Sequence, residues 1–390
     1  MNILYVSSFV YRKNSSAAIR NNKLIEGLIS AGHKVDVHTI SHSAELTDAA
    51  LLANHKALGV LIEFSEINSI SNVASAGGKK KLKKYLPKTI YNFIRSMLAF
   101  PDADKRWLNK DLDLKDEYDI VISSSDTKTS HFVVEKILKN KRITAKWVQI
   151  WGDPWASDVN LDFFTKKIVS FYERNLLKQA FKIFYVSELT ATEYKKKFPI
   201  FSHKIRCVGR SYYKRLLVDT SCKEKKEMTF FYPGSLNENR SIVKFCESIR
   251  LHNDNNIKQI KINVCGHQTD DILNRYKQYT FVQFMGAKGI DEVYSEFNFS
   301  DYLLLVDNGN DSPHIPGKLF DYYGTNLPII ALISRGNLKL KEYLSIDGRT
   351  LILDKDDLVN LNCIVDINAL NEVDDYYSPE SVARRLLNVL

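Results

Sequence analysis

The chain has 390 residues, 44% of them hydrophobic and 26% charged, which excludes disordered, collagen-like and low-complexity classes and supplies core for about two domains. Lysine and arginine number 55 against 46 aspartates and glutamates, a net charge of +9 that suits an anionic partner: nucleic acid, anionic lipid or a phosphorylated small molecule. The five cysteines, Cys207, Cys222, Cys246, Cys265 and Cys363, are well separated and match no zinc or redox spacing, so they read as free thiols of a reducing compartment.

The opening run Ile3–Val6 is short, apolar and β-branched, which suits a strand buried on both faces rather than a signal peptide. No run approaches the ~20 apolar residues needed to span a bilayer. A cytoplasmic protein is expected, with any membrane contact peripheral. Ile19, Leu24, Ile25, Leu28 and Ile29 recur at helical spacing, Gly32 stops that helix, and Val35–Ile40 resumes as a strand. Strand, helix and strand with short connections make a βαβ unit and a parallel sheet. The alternation continues with strands at Tyr118–Ile122, Lys146–Ile150 and Lys182–Val186 and helices at Ser130–Leu138, Phe163–Gln179 and Glu188–Lys197. Residues 199–227 read as a join. A second series then places strands at Thr229–Tyr232, Gln259–Val264, Phe281–Phe284, Tyr302–Val306 and Pro328–Leu332, and a last helix at Pro379–Leu390. The expected organisation is an α/β domain at 1–205, a second at 206–378, and a helix at 379–390 that crosses back to the first. In such doubly wound sheets, ligands bind beyond the carboxyl ends of the strands.

The segment Ser312–Gly324 leaves an apolar strand, turns at Pro316-Gly317 and starts a helix. A helix N-terminus with a glycine before it and Lys318 in it is a natural seat for a diphosphate. Asp321, one turn on, lies on the lysine's side and could accept hydrogen bonds from ribose hydroxyls. A capped helix with a solvated lysine fits the same residues.

Pro316-Gly317-Lys318-Leu319-Phe320-Asp321-Tyr322, with Gly324 and Pro328-Ile329-Ile330, resembles the donor-binding segment of GT-B glycosyltransferases. It is most similar to the retaining family 4 enzymes that build bacterial surface polysaccharides. Further segments agree along most of the chain: Gly32-His33-Lys34-Val35, Phe100-Pro101-Asp102 with Trp107, Trp151-Gly152-Asp153-Pro154-Trp155, and Tyr232-Pro233-Gly234-Ser235-Leu236. The resemblance implies two Rossmann-like domains facing a central cleft. It also implies a donor site built from Ser15, Ser16, Gly234, Ser235, Gly266, Met285, His314, Pro316, Gly317 and Asp321. In it, Lys318 and Arg240 would neutralise the diphosphate. One departure stands out: the family's usual glutamate position holds Pro313, with Asp311 and His314 beside it.

Asp153 directly follows a buried strand and has two readings, a carboxylate that orients or deprotonates an acceptor hydroxyl, or a helix N-cap with Pro154 at the first helical position. Trp151 and Trp155 flank it and would stack on acceptor sugars. His131 reads as a helix-start histidine rather than a base. No metal site is expected and no cofactor beyond the substrate itself, a nucleoside diphosphate sugar of UDP or GDP type. Lys79, Lys80, Lys81, Lys83, Lys84 and Lys88 precede an apolar stripe through Leu98, the composition of a peripheral membrane helix on an anionic surface or of a solvated loop before a core helix. No nucleic-acid reader motif accompanies the basic residues. The expected function is transfer of a sugar to a glycan, lipid-linked, in surface polysaccharide synthesis. The alternatives are a nucleotide-sugar 2-epimerase and a non-catalytic glycan- or partner-binding protein on the same fold.

Overall fold

The computed structural model describes residues 1–13, 15–67, 98, 100–110, 114–115, 117–140, 144–158, 161–219, 227–309, 315–346, 348–361, 364 and 372–390. The lysine-rich stretch expected at 79–98, apart from Leu98, lies outside them, as do His314, Asp311 and Pro313. The chain divides into two compact units, Met1–Arg210 with Pro379–Leu390, and Ser211–Ser378.

The first unit is built on seven strands: β1 (Asn2–Val6), β2 (Lys34–Ile40), β3 (Leu61–Ser65), β4 (Ile120–Ser125), β5 (Lys146–Trp151), β6 (Lys182–Tyr185) and β7 (Ile205–Cys207). Their order is β3-β2-β1-β4-β5-β6-β7, and every pairing is parallel, with Ile3 opposite both Val35 and Ile120. The helices α1 (Ser16–Ser30), α2 (Ala49–Ala57), α3 (Thr129–Lys139), α4 (Phe163–Gln179) and α5 (Glu188–Lys197) connect them. Four of these begin at a Ser or Asp whose side chain accepts a backbone N–H of the first turn: Ser15, Asp48, Asp162 and Ser187. Alternate residues of β1 enter two different cores. Ile3 and Tyr5 pack with Leu24, Ile25 and Leu28 of α1, while Leu4 and Val6 pack with Val133 and Val134 of α3. That is why the strand reads as an unbroken apolar run.

The second unit repeats the plan. Strands β8 (Glu227–Pro233), β9 (Gln259–Cys265), β10 (Val282–Phe284), β11 (Tyr302–Val306), β12 (Ile329–Ile333) and β13 (Thr350–Asp354) lie in the order β10-β9-β8-β11-β12-β13, again parallel throughout. Helices α6 (Val243–Asn255), α7 (Asp270–Tyr276), α8 (Ile290–Phe297), α9 (Lys318–Tyr323) and α10 (Leu338–Ile346) cover it. In both sheets the strand order reverses beside the first strand, between β1 and β4 and between β8 and β11, and these reversals open the crevices where α/β sheets bind ligands.

The final helix, α11 (Pro379–Leu387), returns to the first unit and packs on α1. Val382, Ala383 and Leu386 bury against Leu24, Ile25 and Leu28. Gly27 permits the approach, since a Cβ there would collide with the Pro379 carbonyl and lie 3.1 Å from the Ala383 Cβ. Elements unread in the sequence are α2, β3, β7 and β13. One reading is corrected: no helix starts at Pro154, so Asp153 is not a helix cap, and Asp162 caps the next helix instead.

Candidate functional site

The crevice of the second unit gathers most of the expected donor residues. β8 ends in Pro233-Gly234-Ser235, and β9 ends one residue before Gly266. The two loops meet backbone to backbone. A Cβ on Gly266 would lie 2.6 Å from the Gly234 carbonyl carbon and 2.9 Å from the Ser235 nitrogen, so only glycine fits there. Gln268 clamps the pair, donating from Nε2 to the carbonyls of Gly234 (3.1 Å) and Gly266 (3.3 Å) while its Oε1 accepts the Leu236 N–H (2.9 Å). The Gly266 N–H reaches the Gly286 carbonyl at 2.8 Å, and the Met285 N–H reaches that of Val264 at 2.9 Å. Met285 is half-buried at the edge of this group.

Lys318 opens α9, behind the half-buried Pro316 and Gly317. With only six residues, α9 has little dipole to offer, so the electrostatic contribution comes from the lysine itself. Its ammonium lies against Gly234 and 4.1 Å from the centroid of the Tyr232 ring, a cation–π contact. Burial lowers its pKa to about 7, and the nearby Arg240 guanidinium pushes the same way. Burial also raises the Tyr232 phenol to about 12, with Arg240 opposing. Among the described residues no hydrogen-bond acceptor engages the Lys318 ammonium. The crevice thus brings two cations, Lys318 and Arg240, close to one another beside Gly234.

Arg240 crosses the reversal between β8 and β11. Its Nε donates to Asn308 Oδ1 at 2.6 Å, and its own N–H closes a turn onto Asn237. Behind it lies a buried ion pair. Asp307 is fully buried (0% exposed) and Lys355 is 8% exposed, and the Lys355 ammonium donates to Asp307 Oδ1 and to the Asn239 carbonyl, both at 2.7 Å. Asp307 also accepts from the Ser334 N–H and hydroxyl and the Asn337 amide. Burial alone would raise its carboxyl pKa, but Lys355 and these donors outweigh it and hold the group below its ordinary value. Gln268, Asn308, Asp307 and Lys355 were not singled out in the sequence, because each acts through a partner from a distant loop.

Asp321 is buried, and its Oδ1 accepts the Tyr213 N–H (3.0 Å) and the Tyr294 hydroxyl (3.3 Å). It therefore holds the segment after Arg210 against α9 and α8.

The first unit presents its own polar edge. Ser15 Oγ accepts the Ala18 N–H, and Ser16 Oγ accepts from the Arg210 guanidinium at 2.5 Å. Beyond β4, Asp126 pairs with Arg20. The Lys128 ammonium donates to the Asp153 carbonyl at 3.0 Å. Burial raises the Asp126 pKa against the pull of Arg20 and Lys128, and lowers that of Lys128 against Asp126 and Asp153. Asp153 itself is exposed. The expectation for the two tryptophans is corrected. Trp151 is buried with its indole N–H on Gln149 Oε1 (3.1 Å), and Trp155 stacks on Phe100 inside the core, so neither offers a face to a sugar. His131 is buried too; its Nδ1 is 2.7 Å from Ser123 Oγ, and burial keeps it neutral. Among the described residues, no cluster of three or more His, Cys, Asp or Glu could hold a metal ion, and no helix is long and apolar enough to cross a membrane.

The sequence matches no protein-family model and no curated protein. Solved structures do resemble the chain. HepE of Anabaena, in complex with UDP and glucose, superposes with a TM-score of 0.56 at 11% identity, covering 100% of this chain and 94% of its own. The lipopolysaccharide outer core galactosyltransferase WaaB, in its apo form, gives 0.55 at 12%, with 100% and 99% covered. The UDP-GlcNAc 2-epimerase of Methanocaldococcus jannaschii gives 0.53 at 13%, with 100% and 98% covered. These likenesses establish the fold over the whole chain: it is GT-B, two Rossmann-like parallel-sheet domains.

Proposed function

We propose that the protein is a glycosyltransferase that takes a sugar from a nucleoside diphosphate sugar, of UDP or GDP type, and passes it to a glycan acceptor. The observation that carries this reading is the pair Lys318 and Arg240 in the second unit, where the Lys318 ammonium lies against Gly234 and the Arg240 guanidinium is close enough to it to help lower its pKa. As the glycosidic bond to phosphate breaks, negative charge grows on the departing diphosphate, and fixed cations in a partly dry crevice stabilise that charge most where it is greatest. Arg240 contributes a planar, preorganised fork, and Lys318 a compact charge. Asp321 offers ribose hydroxyls a carboxylate at the start of the same helix. Asp153 in the first unit is the carboxylate assigned to orient the acceptor hydroxyl.

The resemblance to family 4 enzymes supports transfer with retention, without a metal, onto a lipid-linked acceptor in surface polysaccharide synthesis. A second reading has an observation of its own, since a 2-epimerase shares the fold over the full chain. Thermal-shift measurements with a panel of nucleoside diphosphates and their sugars identify the donor; no shift with any of them ends the donor reading. Incubation with the donor alone then separates the classes. An epimerase changes the sugar with no acceptor present, a transferase releases nucleoside diphosphate only when acceptor is added, and a binding protein does neither.

A further inference from the structure

The helix α4 carries an exposed face that includes none of the residues assigned above to the donor or the acceptor. At 100° per residue, Phe163, Phe164, Lys167, Phe171, Arg174 and Lys178 fall within an arc of about 100°. All six are exposed, the three phenylalanines at 64%, 63% and 63%. Thr165, Val169, Glu173, Leu176 and Leu177 lie on the opposite side and are buried, which fixes the orientation of the helix. Glu173 is the helix's one acidic residue and is held inside, its Oε1 accepting from the Trp155 N–H and the Tyr194 hydroxyl. The outer face therefore combines three phenyl rings and three cations with no acid among them. Lys167 lies 4.5 Å from the centre of the Phe163 ring, so charge and ring present together.

Three phenylalanines near two-thirds exposed are costly to keep in water, and a folded monomer rarely leaves such a group uncovered without a partner. Interleaved cations choose between partners. A protein groove that accepted the rings would also have to supply acids at three positions along two turns. An anionic bilayer supplies both environments at once, acyl chains below and charged headgroups at the level of the lysine and arginine tips. We propose that this face of α4 is a membrane-docking surface that inserts Phe163, Phe164 and Phe171 into the interface of an anionic lipid bilayer, with Lys167, Arg174 and Lys178 on the headgroups. The proposal does not depend on the transferase reading, because it uses none of the crevice residues.

The test is co-sedimentation of the full chain with phosphatidylcholine vesicles, with and without phosphatidylglycerol. The wild type should bind the anionic vesicles and come off as the Debye length shrinks from about 10 Å at 0.1 M salt to about 3 Å at 1 M. Phe163→Ser, Phe164→Ser and Phe171→Ser together should lower the partition coefficient by more than about tenfold, since burial of apolar area drives insertion. Lys167→Gln, Arg174→Gln and Lys178→Gln should erase the preference for anionic lipid. These side chains pack against little, so circular dichroism should report unchanged folding. A Phe171→Trp variant adds a direct reading of depth, because its emission should shift blue on binding and be quenched by brominated acyl chains. Failure of the wild type to bind either vesicle, wild-type binding by the serine variant, or an unquenched tryptophan at position 171 each overturns the proposal.

Discussion

The buried ammonium of Lys318 makes a quantitative forecast about pH. With no anion present its pKa is about 7, brought down from 10.5 chiefly by burial and then by Arg240. Such a depression corresponds to roughly 5 kcal/mol against the charged form. A bound diphosphate restores the charged form, so its pKa rises on binding. Between about 7 and the ligand-bound value, binding must then take up a proton, and affinity must fall as pH rises, by up to about tenfold per unit. From pH 7 to pH 9 the loss should be roughly fiftyfold. Isothermal titration at pH 8 in buffers of different ionisation enthalpy should report uptake of about nine-tenths of a proton per nucleoside diphosphate bound. Lys318→Arg stays charged at every working pH and should bind with a flat profile. Lys318→Met should lose diphosphate affinity but gain stability when ligand-free, most clearly below pH 7, where the wild type carries the full cost of a buried charge. In the wild type the folded pKa lies below the unfolded one, so this lysine's contribution to stability improves as pH climbs from 7 towards 10.5. An affinity independent of pH from 7 to 9, with no proton uptake, refutes the assignment of Lys318 to phosphate.

Three further perturbations probe the surroundings. Lys355→Met leaves Asp307 buried and unpaired, and should cost about 3–5 kcal/mol in urea unfolding; adding Asp307→Asn should recover much of that stability but not the diphosphate affinity, because the Asn239 carbonyl next to Arg240 stays unanchored. Asp321→Asn keeps an acceptor for Tyr213 and Tyr294 but removes the charge. It should weaken a nucleoside diphosphate about tenfold, near 1.4 kcal/mol, and leave inorganic pyrophosphate unchanged in titration calorimetry. Equal effects on both ligands would remove ribose from its role. Gly27→Val drives a side chain into the Pro379 carbonyl and should release α11, seen as faster limited proteolysis after Ser378 and a drop in Tm; wild-type resistance would show that the two helices can part without cost.

The sequence carried the sheets and pointed to Lys318 because both are local signals. Buried parallel strands such as Tyr302–Val306 are apolar along their whole length, and a lysine after Pro-Gly at a helix start is visible within four residues. Edge strands were harder to see. β3 is exposed at Leu61 and Phe64, and β7 has only three residues, so neither shows the apolar run of a central strand. The tryptophans failed for a related reason. An aromatic residue next to a carboxylate looks the same in sequence whether its ring faces a cleft or the core, and here Gln149 on the same strand takes the Trp151 indole N–H and holds it inside.

What stayed invisible in the site is the set of residues that hold its loops and Arg240 in place. Gln268, Asn308 and Lys355 lie 28, 68 and 115 positions from Arg240, and no spacing rule connects them. Sheet order does. β8 and β11 are neighbours only because the chain reverses direction across the sheet beside β8, and that reversal brings Asn308 within 2.6 Å of the Arg240 Nε. The same geometry lets Lys355, just past β13 at the sheet's far edge, reach the Asn239 carbonyl. The charged residues of the crevice can thus be read from short motifs, whereas the way they are held is a property of topology. It follows that substitutions at Asn308 should alter donor affinity through Arg240 alone and have no further effect once Arg240 is replaced by alanine. A double-mutant cycle on diphosphate binding measures that coupling, and a cycle that closes with simple additivity would show that Asn308 does not position the arginine.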